Sequence, residues 1–397
     1  MNKIALAFLS ALAMFAPEIA VAQPLDPRNP PFYAKCDGTT DDSTALQAWA
    51  NAFTSHLDAI VPGVCAHKAQ IWFPIGINYV NLSGGKLLYT GSDTTITGLK
   101  IGALDESACQ NIGWNIHDLF VSSSTVMTQG SGLLIANACH FNLTNVRVGD
   151  QFGEGNTNLQ IGLHIYGGNS IFVRGSFFTA SKEAVLINGN SGVLPQLTDP
   201  FFDQVVIVNS GLGLDIGGNV GGFSCNECDI VNNGANVRIT QDTIALPNGQ
   251  VFFGPGSAID ATDTVHYPSE TGIGLEIKDA GKPSGDSEFI FNGTWLASAT
   301  NQCFLIDSGA QWTVHLTGGT VENCHPSSAS HGSIENQSLT AKIFISGVRF
   351  RTPGVYGPDL FNVASAVPFN LQADLFEDTP FGSWGHIVGT WTSAMGL

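Results

Sequence analysis

A short apolar strand pattern recurs between residues 130 and 363 of this 397-residue chain. The copies are Leu133-Leu134-Ile135, Leu163-His164-Ile165, Val185-Leu186-Ile187, Leu214-Asp215-Ile216, Val237-Arg238-Ile239, Leu275-Glu276-Ile277, Phe304-Leu305-Ile306 and Phe361-Asn362-Val363, with a weaker copy at Ile334. Their last aliphatic residues stand at positions 135, 165, 187, 216, 239, 277, 306, 334 and 363, which are 22 to 38 residues apart. A repeat of this length is typical of a solenoid, in which each copy forms one coil that stacks on the next.

A second β-rich run follows many of the copies, with Gly, Asn and Ser between the two runs. These runs include Ile171-Phe172-Val173, Val205-Val206-Ile207-Val208, Phe289-Ile290-Phe291, Val314-His315-Leu316 and Ile343-Phe344-Ile345. Short strands with turn residues between them and no helical periodicity predict an all-β fold, a parallel β-helix. The competing fold is an antiparallel sandwich. It would show hairpin turns of fixed length, whereas here the loop length varies while the strand chemistry stays the same.

The composition is that of an acidic, folded protein. Hydrophobic residues make up 43% of the chain and charged residues only 12%, so a large core can be buried. Fifteen Lys and Arg against 33 Asp and Glu leave a formal net charge of −18. Such a charge repels phosphate backbones and anionic lipid surfaces, and we therefore expect no nucleic-acid partner.

Residues 1–22 have the pattern of a secretory signal peptide. Lys3 provides a positive start, residues 4–15 form an apolar run, and residues 20–22 offer a small-x-small cleavage site. A transmembrane helix needs about 20 apolar residues, and Pro17 ends the run before that length. No later stretch of the sequence is suitable either. We expect a secreted protein, extracellular or periplasmic, without a membrane span.

Eight cysteines, an even number, are consistent with an oxidising compartment. Three candidate disulfide pairs are each separated by about the length of one coil: Cys36/Cys65, Cys109/Cys139 and Cys303/Cys324. The last two are candidates to join neighbouring coils. Cys225 and Cys228 form a Cys-x-x-Cys pair. A zinc site would need a second ligand pair and a redox motif belongs at a helix N-terminus, so we predict a structural disulfide.

The N-terminal segment reads as the cover that a solenoid needs, because a bare terminal coil exposes unpaired strand edges and apolar core. Residues 41–43, Asp-Asp-Ser, can cap a helix. The apolar positions that follow have the spacing of an amphipathic helix: Ala45, Leu46, Trp49, Ala50 and Phe53.

The same segment resembles a known family motif. Residues 35–49, Lys-Cys-Asp-Gly-Thr-Thr-Asp-Asp-Ser-Thr-Ala-Leu-Gln-Ala-Trp, are similar to the Gly-Asp-Gly-x-x-Asp-Asp-Thr-x-Ala-Ile-Gln-x-Ala signature of the pectate lyase superfamily. This superfamily includes polygalacturonase-like enzymes and phage tailspikes. Residues 71–76, Ile-Trp-Phe-Pro-Ile-Gly, resemble the strand that follows the signature, although Cys36 and Ile75 depart from the family pattern.

The resemblance implies a right-handed parallel β-helix. Because the motif belongs to the cap, it implies turn and capping roles for Asp37, Asp41 and Asp42 and leaves the reaction open. The expected organisation is a signal peptide at 1–22, the N-terminal cap and first coils at 23–130, β-helix coils at 131–380 and a C-terminal tail at 381–397.

The middle residue of each Leu-x-Ile strand points outward, because the flanking apolar residues point to the core. Successive coils stack these residues into a column: His164, Leu186, Asp215, Arg238, Glu276 and Leu305. At ~4.8 Å per strand, Asp215 and Glu276 start ~9.6 Å apart, near the upper end of the ~6.5–9.5 Å window of inverting glycosidases.

This spacing predicts a glycoside hydrolase that acts on an extended polysaccharide. Glu276 is assigned as the general acid, Asp215 as the base that activates water, and Arg238 as the group that separates their pKa values. The alternative is a surface charge ladder without chemistry.

The largest coil spacing places an insertion at 242–272 beside Arg238 and Glu276. Long loops are often functional, and the aromatic and polar side chains of this one can contact sugar rings. The predicted substrate-binding residues are Phe252, Phe253, His266 and Tyr267, together with His164 and Tyr166 of an earlier coil. The alternative is an apolar flap that covers the coil.

A second candidate groove is formed by Glu227, Asp229 and Glu322, with Arg349 and Arg351 beyond it. Glu227 and Asp229 alternate with a cysteine and are expected to share a face. The alternative is a solvated edge.

Two other functions stay open. One is β-elimination on a uronate-containing chain, with His164 or Arg238 as the base. Only 15 basic residues would be available to neutralise the substrate carboxylate, so a lyase would call for bound Ca²⁺; otherwise we expect no cofactor and no metal. The other is a non-catalytic protein for glycan binding or adhesion. Polygalacturonase-type Asp-Asp with Gly-His-Gly and pectate-lyase-type Arg-x-Pro-x-x-Arg are both absent from the sequence.

Overall fold

The computed structural model describes the cap and the coils of the chain. It covers residues 23–104, 109–149, 158–189, 197–218, 220–241, 249–279, 287–310, 312–326, 330–351, 358–363, 368–372, 374–377 and 387–393. The predicted signal peptide, residues 1–22, lies outside this part of the chain. Within it, no helix has the length and apolar character needed to cross a bilayer.

One helix, α1 (Ser43–Asn51), precedes the strands of the described chain. The strands are β1 (Leu57–Ile60), β2 (Val64–His67), β3 (Ile71–Phe73), β4 (Val80–Ser83), β5 (Lys86–Tyr89), β6 (Leu99–Ile101), β7 (Asn111–Ile112), β8 (Asn115–His117), β9 (Phe120–Ser123), β10 (Ser131–Thr144), β11 (Arg147–Val148), β12 (Ile161–Arg174), β13 (Phe177–Phe178), β14 (Glu183–Asn188), β15 (Thr198–Asp203), β16 (Val206–Val208), β17 (Leu212–Ile216), β18 (Gly222–Asn226), β19 (Asp229–Asn233), β20 (Ala235–Gln241), β21 (Gln250–Phe253), β22 (Ala258–Thr262), β23 (Leu275–Asp279), β24 (Ser287–Asn292), β25 (Trp295–Ala297), β26 (Phe304–Ile306), β27 (Trp312–Thr317), β28 (Thr320–Glu322), β29 (Ile334–Asn336), β30 (Lys342–Ser346), β31 (Arg349–Arg351), β32 (Leu360–Asn362), β33 (Phe369–Gln372), β34 (Leu375–Phe376), β35 (Ile387–Val388) and β36 (Trp391–Ser393).

These strands wind into a right-handed parallel β-helix with three faces, which confirms the predicted fold class. Face 1 contains β3, β6, the first half of β10 and of β12, and then β14, β17, β20, β23, β26, β29, β32 and β35. Face 2 contains β1, β4, β8, the second half of β10 and of β12, and then β15, β18, β21, β24, β27, β30, β33 and β36. Face 3 is the 12-stranded sheet, from β2 and β5 to β34. The pairs between neighbouring coils are parallel, as for β10 with β12 and for β17 with β20.

The corner between faces 1 and 2 explains why β10 and β12 join both faces into one sheet. Each runs for 14 residues and turns the corner without a break. Gly168 lies in this corner of β12 with φ +106°, and a Cβ there would stand 2.1 Å from the carbonyl oxygen of Ala138. The coils can therefore stack at this corner only with glycine at position 168.

Apolar side chains of the same coil position stack inside the helix. One such stack is fully buried in six successive coils: Leu133, Leu163, Val185, Leu214, Val237 and Leu275. Burial of apolar surface in these stacks, at about 25 cal/mol per Å², offsets the entropy of ordering the chain.

Helix α1 closes the N-terminal end by burying Leu46 and Trp49 against the first coils. The Trp49 indole N–H donates to the carbonyl of Leu25 at 3.0 Å. Asp42 stands at the helix start, but its carboxylate accepts the backbone N–H groups of Lys35 and Cys36 instead of capping the helix. The aspartates of the motif thus hold the loop before the helix in place.

All four disulfides connect the predicted partners: Cys36–Cys65, Cys109–Cys139, Cys225–Cys228 and Cys303–Cys324. Cys139 of β10 lies beside β7, so its bridge joins neighbouring coils. The bridge from Cys303, before β26, to Cys324, after β28, joins the start and the end of one coil. Cys225 and Cys228 span the corner between β18 and β19, which makes their bridge structural.

Two of the predicted repeat positions are out of register. The strand position of Ile306 is taken in the next two coils by Asn336 and Asn362. Ile334, predicted for this position, lies two residues earlier in its strand. Val363, also predicted for it, follows its strand and is 56% exposed. The asparagines replace aliphatic residues because they bond to each other across the coils, with Asn336 Nδ2 donating to Asn362 Oδ1 at 3.2 Å. The coils also continue through β35 and β36, inside the segment predicted as a tail.

Substitution of Asn336 by Ala is expected to lower the free energy of unfolding by about 1–3 kcal/mol. The change removes the partner of the Asn362 amide oxygen and of the Ser338 N–H, and both lie in a buried region. Urea unfolding followed by circular dichroism measures the loss. Gln372→Ala, at an exposed position, is the control and should shift the free energy by less than about 0.5 kcal/mol. Equal stability of the two variants would contradict a role for the asparagine contacts.

Candidate functional site

The predicted column of outward residues lies on face 1. The register pairs Asp215 with Arg238 and Arg238 with Glu276, so the two carboxylates stand two strands apart with the arginine between them. The column continues on both sides in register. Its members are Trp72, Lys100, Leu134, His164, Leu186, Asp215, Arg238, Glu276, Leu305, Glu335 and Phe361.

Arg238 is held between carboxylates. Its Nε donates to Glu276 Oε2 at 3.1 Å, and its Nη2 lies 3.7 Å from Glu270 Oε2. Burial alone would lower the pKa of Arg238, but the hydrogen bond and charge of Glu276 together raise it. Arg238 therefore stays charged and holds the Glu276 side chain in place.

Asp215 has a different environment from Glu276. Burial raises the pKa of Asp215 from its ordinary value of 3.8 to about 7, and the charge of Glu183 acts in the same direction, against Arg238 and Lys182. Its Oδ1 is buried and has no hydrogen-bond partner among the described residues. A carboxyl group that holds its proton near neutral pH can act as a general acid.

Three charged residues of this site were missed by sequence reasoning. Glu183 precedes the outward position of β14 and is paired with Lys182, whose Nζ lies 2.8 Å from Glu183 Oε1. Glu270 reaches the site from the loop after β22, where it packs over Gly211 and Gly234. In the sequence, Glu270 was noticeable only as a member of the segment at 242–272. The predicted position of that segment beside Arg238 agrees with the ion pair between Arg238 and Glu270.

His164 and Tyr166 lie on the same face as Asp215. His164 is two strands away, and its Nε2 lies 3.0 Å from Asn188 Oδ1. Burial lowers the pKa of His164, so the ring is neutral at pH 7. The Tyr166 ring stands 6.1 Å from the His164 ring, edge to face.

The segment at 242–272 is not a single loop over the column. Its part from residue 249 onward contains β21 of face 2 and β22 of face 3, followed by the loop that carries Glu270. Phe253 is fully buried in the core, so a sugar ring cannot reach it, and Phe252 points outward on face 2, away from the column. A stacking role for Phe253 is therefore wrong.

The two other predicted members of this segment lie in the loop after β22. Tyr267 is 9% exposed and packs beside Gly234, which leaves little of its ring for a ligand. His266 is exposed, and its Nδ1 lies 2.6 Å from Asp263 Oδ2. Of the four predicted aromatic and histidine contacts, His266 is thus the one that solvent reaches freely near Glu270.

The second candidate groove is not assembled on face 3. Glu227 stands in the corner before β19 with φ +49°, where it accepts a hydrogen bond from Gln204, so it does not alternate with Asp229 along a strand. Asp229 is separated from Glu322 by the intervening strands β22 and β25. Glu322 lies instead 3.9 Å from Arg351. The positive φ and the two strands between them keep the carboxylates apart.

Metal ligands were sought among His, Cys, Asp and Glu. In the described ranges, no group of three or more such residues is arranged to hold a metal ion.

Comparison with known proteins supports the fold. No family model and no curated protein sequence matches the chain. Among solved structures, the Dettilon tailspike protein superposes with a TM-score of 0.64 at 13% identity, over 93% of this chain and 68% of that one. The mannuronan C-5 epimerase A-module of Azotobacter vinelandii gives 0.60 at 11% identity, over 92% and 100%. The catalytic unit of a GH87 alpha-1,3-glucanase from Streptomyces thermodiastaticus gives 0.60 at 14% identity, over 94% and 70%.

Proposed function

We propose that this chain is a secreted glycoside hydrolase that cleaves an extended polysaccharide lying along the column of face 1. The observation that carries the proposal is the register of Asp215 and Glu276, two strands apart with Arg238 between them. The names of proteins with the same fold, a glucanase and tailspikes among them, support a carbohydrate ligand. The signal-like residues 1–22 and the four disulfides support export.

The environments of the two carboxylates favour the reverse of the roles assigned from sequence. Asp215, with its pKa raised by burial to about 7, is the general acid. Glu276, which accepts the Arg238 Nε–H at 3.1 Å, is the general base. A carboxyl group that keeps its proton up to about pH 7 can supply the acid of such a pair.

The chemistry follows from these protonation states. The Asp215 carboxyl donates its proton to the glycosidic oxygen, and the bond from that oxygen to the anomeric carbon breaks. Glu276 accepts a proton from a water molecule, whose oxygen forms the new bond from the opposite side of the sugar ring. A strand separation of ~9.6 Å lies near the upper end of the ~6.5–9.5 Å window of inverting enzymes, so the expected product has inverted anomeric configuration.

Incubation of the purified mature protein with neutral and acidic polysaccharides tests the reaction class. Oligosaccharides that carry one added water, with inverted anomeric protons in the first minutes of an NMR time course, are the expected products. Unsaturated products would show a lyase instead, and intact chains would show a protein that binds without cleaving. Retention of the anomeric configuration would contradict the assigned geometry.

The rate of hydrolysis is expected to fall above pH 7. Asp215 must hold its proton to act as the acid, and it loses that proton with a pKa of about 7. We expect kcat/KM to drop about tenfold for each pH unit beyond that point. A pH–rate profile on a cleaved polysaccharide measures the limb, and a rate that stays constant up to pH 9 would exclude Asp215 as the acid.

The two residues proposed as bases for β-elimination differ. Arg238 has a raised pKa and donates to Glu276, which makes it a poor proton acceptor. The His164 Nε2 lies 3.0 Å from Asn188 Oδ1, which leaves Nδ1 as the ring atom that could accept a proton. A lyase therefore has one candidate base on this face, whereas hydrolysis has a candidate acid and a candidate base.

A further inference from the structure

A second polar cluster lies on the same column, beyond the carboxylates of the proposed reaction. Glu335 stands two strands from Glu276, with Leu305 between them, yet its side chain is almost fully buried. Its Oε2 accepts hydrogen bonds from His331 Nδ1 at 2.8 Å and Gln302 Nε2 at 2.9 Å. Its Oε1 accepts one from Gln337 Nε2 at 2.7 Å.

The contacts of Glu335 determine the tautomer of His331. A carboxylate can only accept, so Nδ1 carries a proton, and in the neutral form of the ring Nε2 carries a lone pair. Nε2 has no protein hydrogen-bond partner among the described residues, and the side chain is 35% exposed. His331 therefore presents an oriented acceptor to solvent, and the natural partner of such an acceptor is an O–H group.

Gln302 provides a second, independent observation. The residue is 4% exposed, and its Oε1 has no hydrogen-bond partner within the part of the chain that the structure describes. A buried amide oxygen left without a donor costs about 1–3 kcal/mol, so the cluster has capacity for one more donor.

An aromatic side chain flanks the cluster on the column. Phe361 lies on the strand after Glu335, is half-buried, and packs beside Gly332, the neighbour of His331, whereas Leu305 on the strand before Glu335 is 9% exposed and offers little surface. Ligand sites combine apolar or aromatic side chains with a few oriented polar atoms, and the half-buried Phe361 and the His331 Nε2 offer that combination. Glu335 and Glu276 would repel the carboxylate of an acidic sugar.

We infer that His331 and Phe361 form a binding subsite for a neutral sugar unit of the same polysaccharide, with Glu335 as the positioning residue of His331. The subsite is ~9.6 Å along the column from Glu276, at ~4.8 Å per strand. The subsite deepens the proposed function because it names a neutral, hydroxyl-donating substrate. It rests on that function only for the assumption that the polysaccharide lies along the column.

Isothermal titration of Asp215→Asn protein with neutral gluco-oligosaccharides of α and β linkage, each as disaccharide and octasaccharide, tests the subsite. At least one octasaccharide should bind to the Asp215→Asn protein. A double variant that also carries His331→Ala should bind it about tenfold more weakly, as expected for one lost hydrogen bond. In the protein with Asp215 intact, His331→Ala should raise KM for the same octasaccharide about tenfold and leave kcat unchanged. Phe361→Leu is the second variant, with a weaker effect in the same direction.

His315→Ala is the matched control, because His315 lies on face 2 and stacks on Phe344 at 5.0 Å. It should leave the affinity unchanged. The subsite would be overturned if His331→Ala left the affinity unchanged, or if His315→Ala weakened binding as much as His331→Ala. It would also be overturned if an oligomannuronate bound more tightly than the neutral oligosaccharides, or if no neutral oligosaccharide bound. If the Asp215→Asn protein still cleaved the substrate, only the assignment of Asp215 as the general acid would be wrong. The subsite would still be tested, because the titration measures binding and not cleavage.

Discussion

Replacing Asp215 with Asn is expected to lower kcat on a cleaved polysaccharide by a factor of about 10² to 10⁴, the usual contribution of a general acid. The amide has the shape of the carboxyl group but no proton to give to the leaving oxygen. Glu276→Gln should cause a loss of the same order, because the attacking water then has no base. Initial rates from reducing-end release measure both losses.

The two losses can be told apart chemically. A substrate with a good leaving group needs little help from an acid, so its cleavage should be nearly normal in Asp215→Asn and still slow in Glu276→Gln. The reverse pattern would restore the roles assigned from sequence, with Glu276 as the acid. Either result distinguishes chemistry at this column from a ladder of surface charges.

Asp229→Asn is the matched control for these variants. Burial and the charge of Asp260 raise the pKa of Asp229 too, but it stands on face 3, away from the column. Its replacement should leave kcat unchanged. A large loss in Asp229→Asn with normal turnover in Asp215→Asn would move the reaction to face 3.

The column could be predicted because its signal is local. In β17, β20 and β23 a charged residue stands between two aliphatic residues, and alternation along a strand determines which way it points. One aliphatic position per coil was then enough to align Asp215, Arg238 and Glu276. The N-terminal motif added the handedness, which alternation alone does not contain.

The rest of the site depends on contacts that have no periodic signal. Glu270 reaches Arg238 from a loop whose path is determined by packing over Gly211 and Gly234. Glu335 was not predicted as a member of the column because its strand was aligned on Ile334 instead of Asn336. This alignment is two positions too early, so the outward position of the strand was assigned to the wrong residue. Asparagine at the aliphatic position caused that error, since hydrogen bonds between coils replace apolar contacts there.

Phe253 shows the opposite failure. Two adjacent phenylalanines between turn residues read as an aromatic loop, but in a strand neighbouring side chains point to opposite faces. One of the pair therefore had to enter the core. The coil spacing of 38 residues concealed the two strands, β21 and β22, that accommodate this alternation.

Asp215→Asn is also expected to stabilise the protein at pH 8 while it removes activity. The folded state holds the Asp215 proton up to about pH 7, whereas an unfolded chain releases it near 3.8, so folding stability falls as the pH rises between these values. At about 1.4 kcal/mol per pH unit, the full cost above pH 7 is as much as about 4 kcal/mol, and asparagine does not incur it. Thermal unfolding of both proteins should show a higher Tm for the variant at pH 8 and nearly equal values at pH 3, where both side chains are neutral. A variant no more stable than the parent at pH 8 would mean that Asp215 ionises without cost in the folded protein. It would then lack the proton that the proposed reaction requires, because the same burial that destabilises the fold keeps the acid protonated.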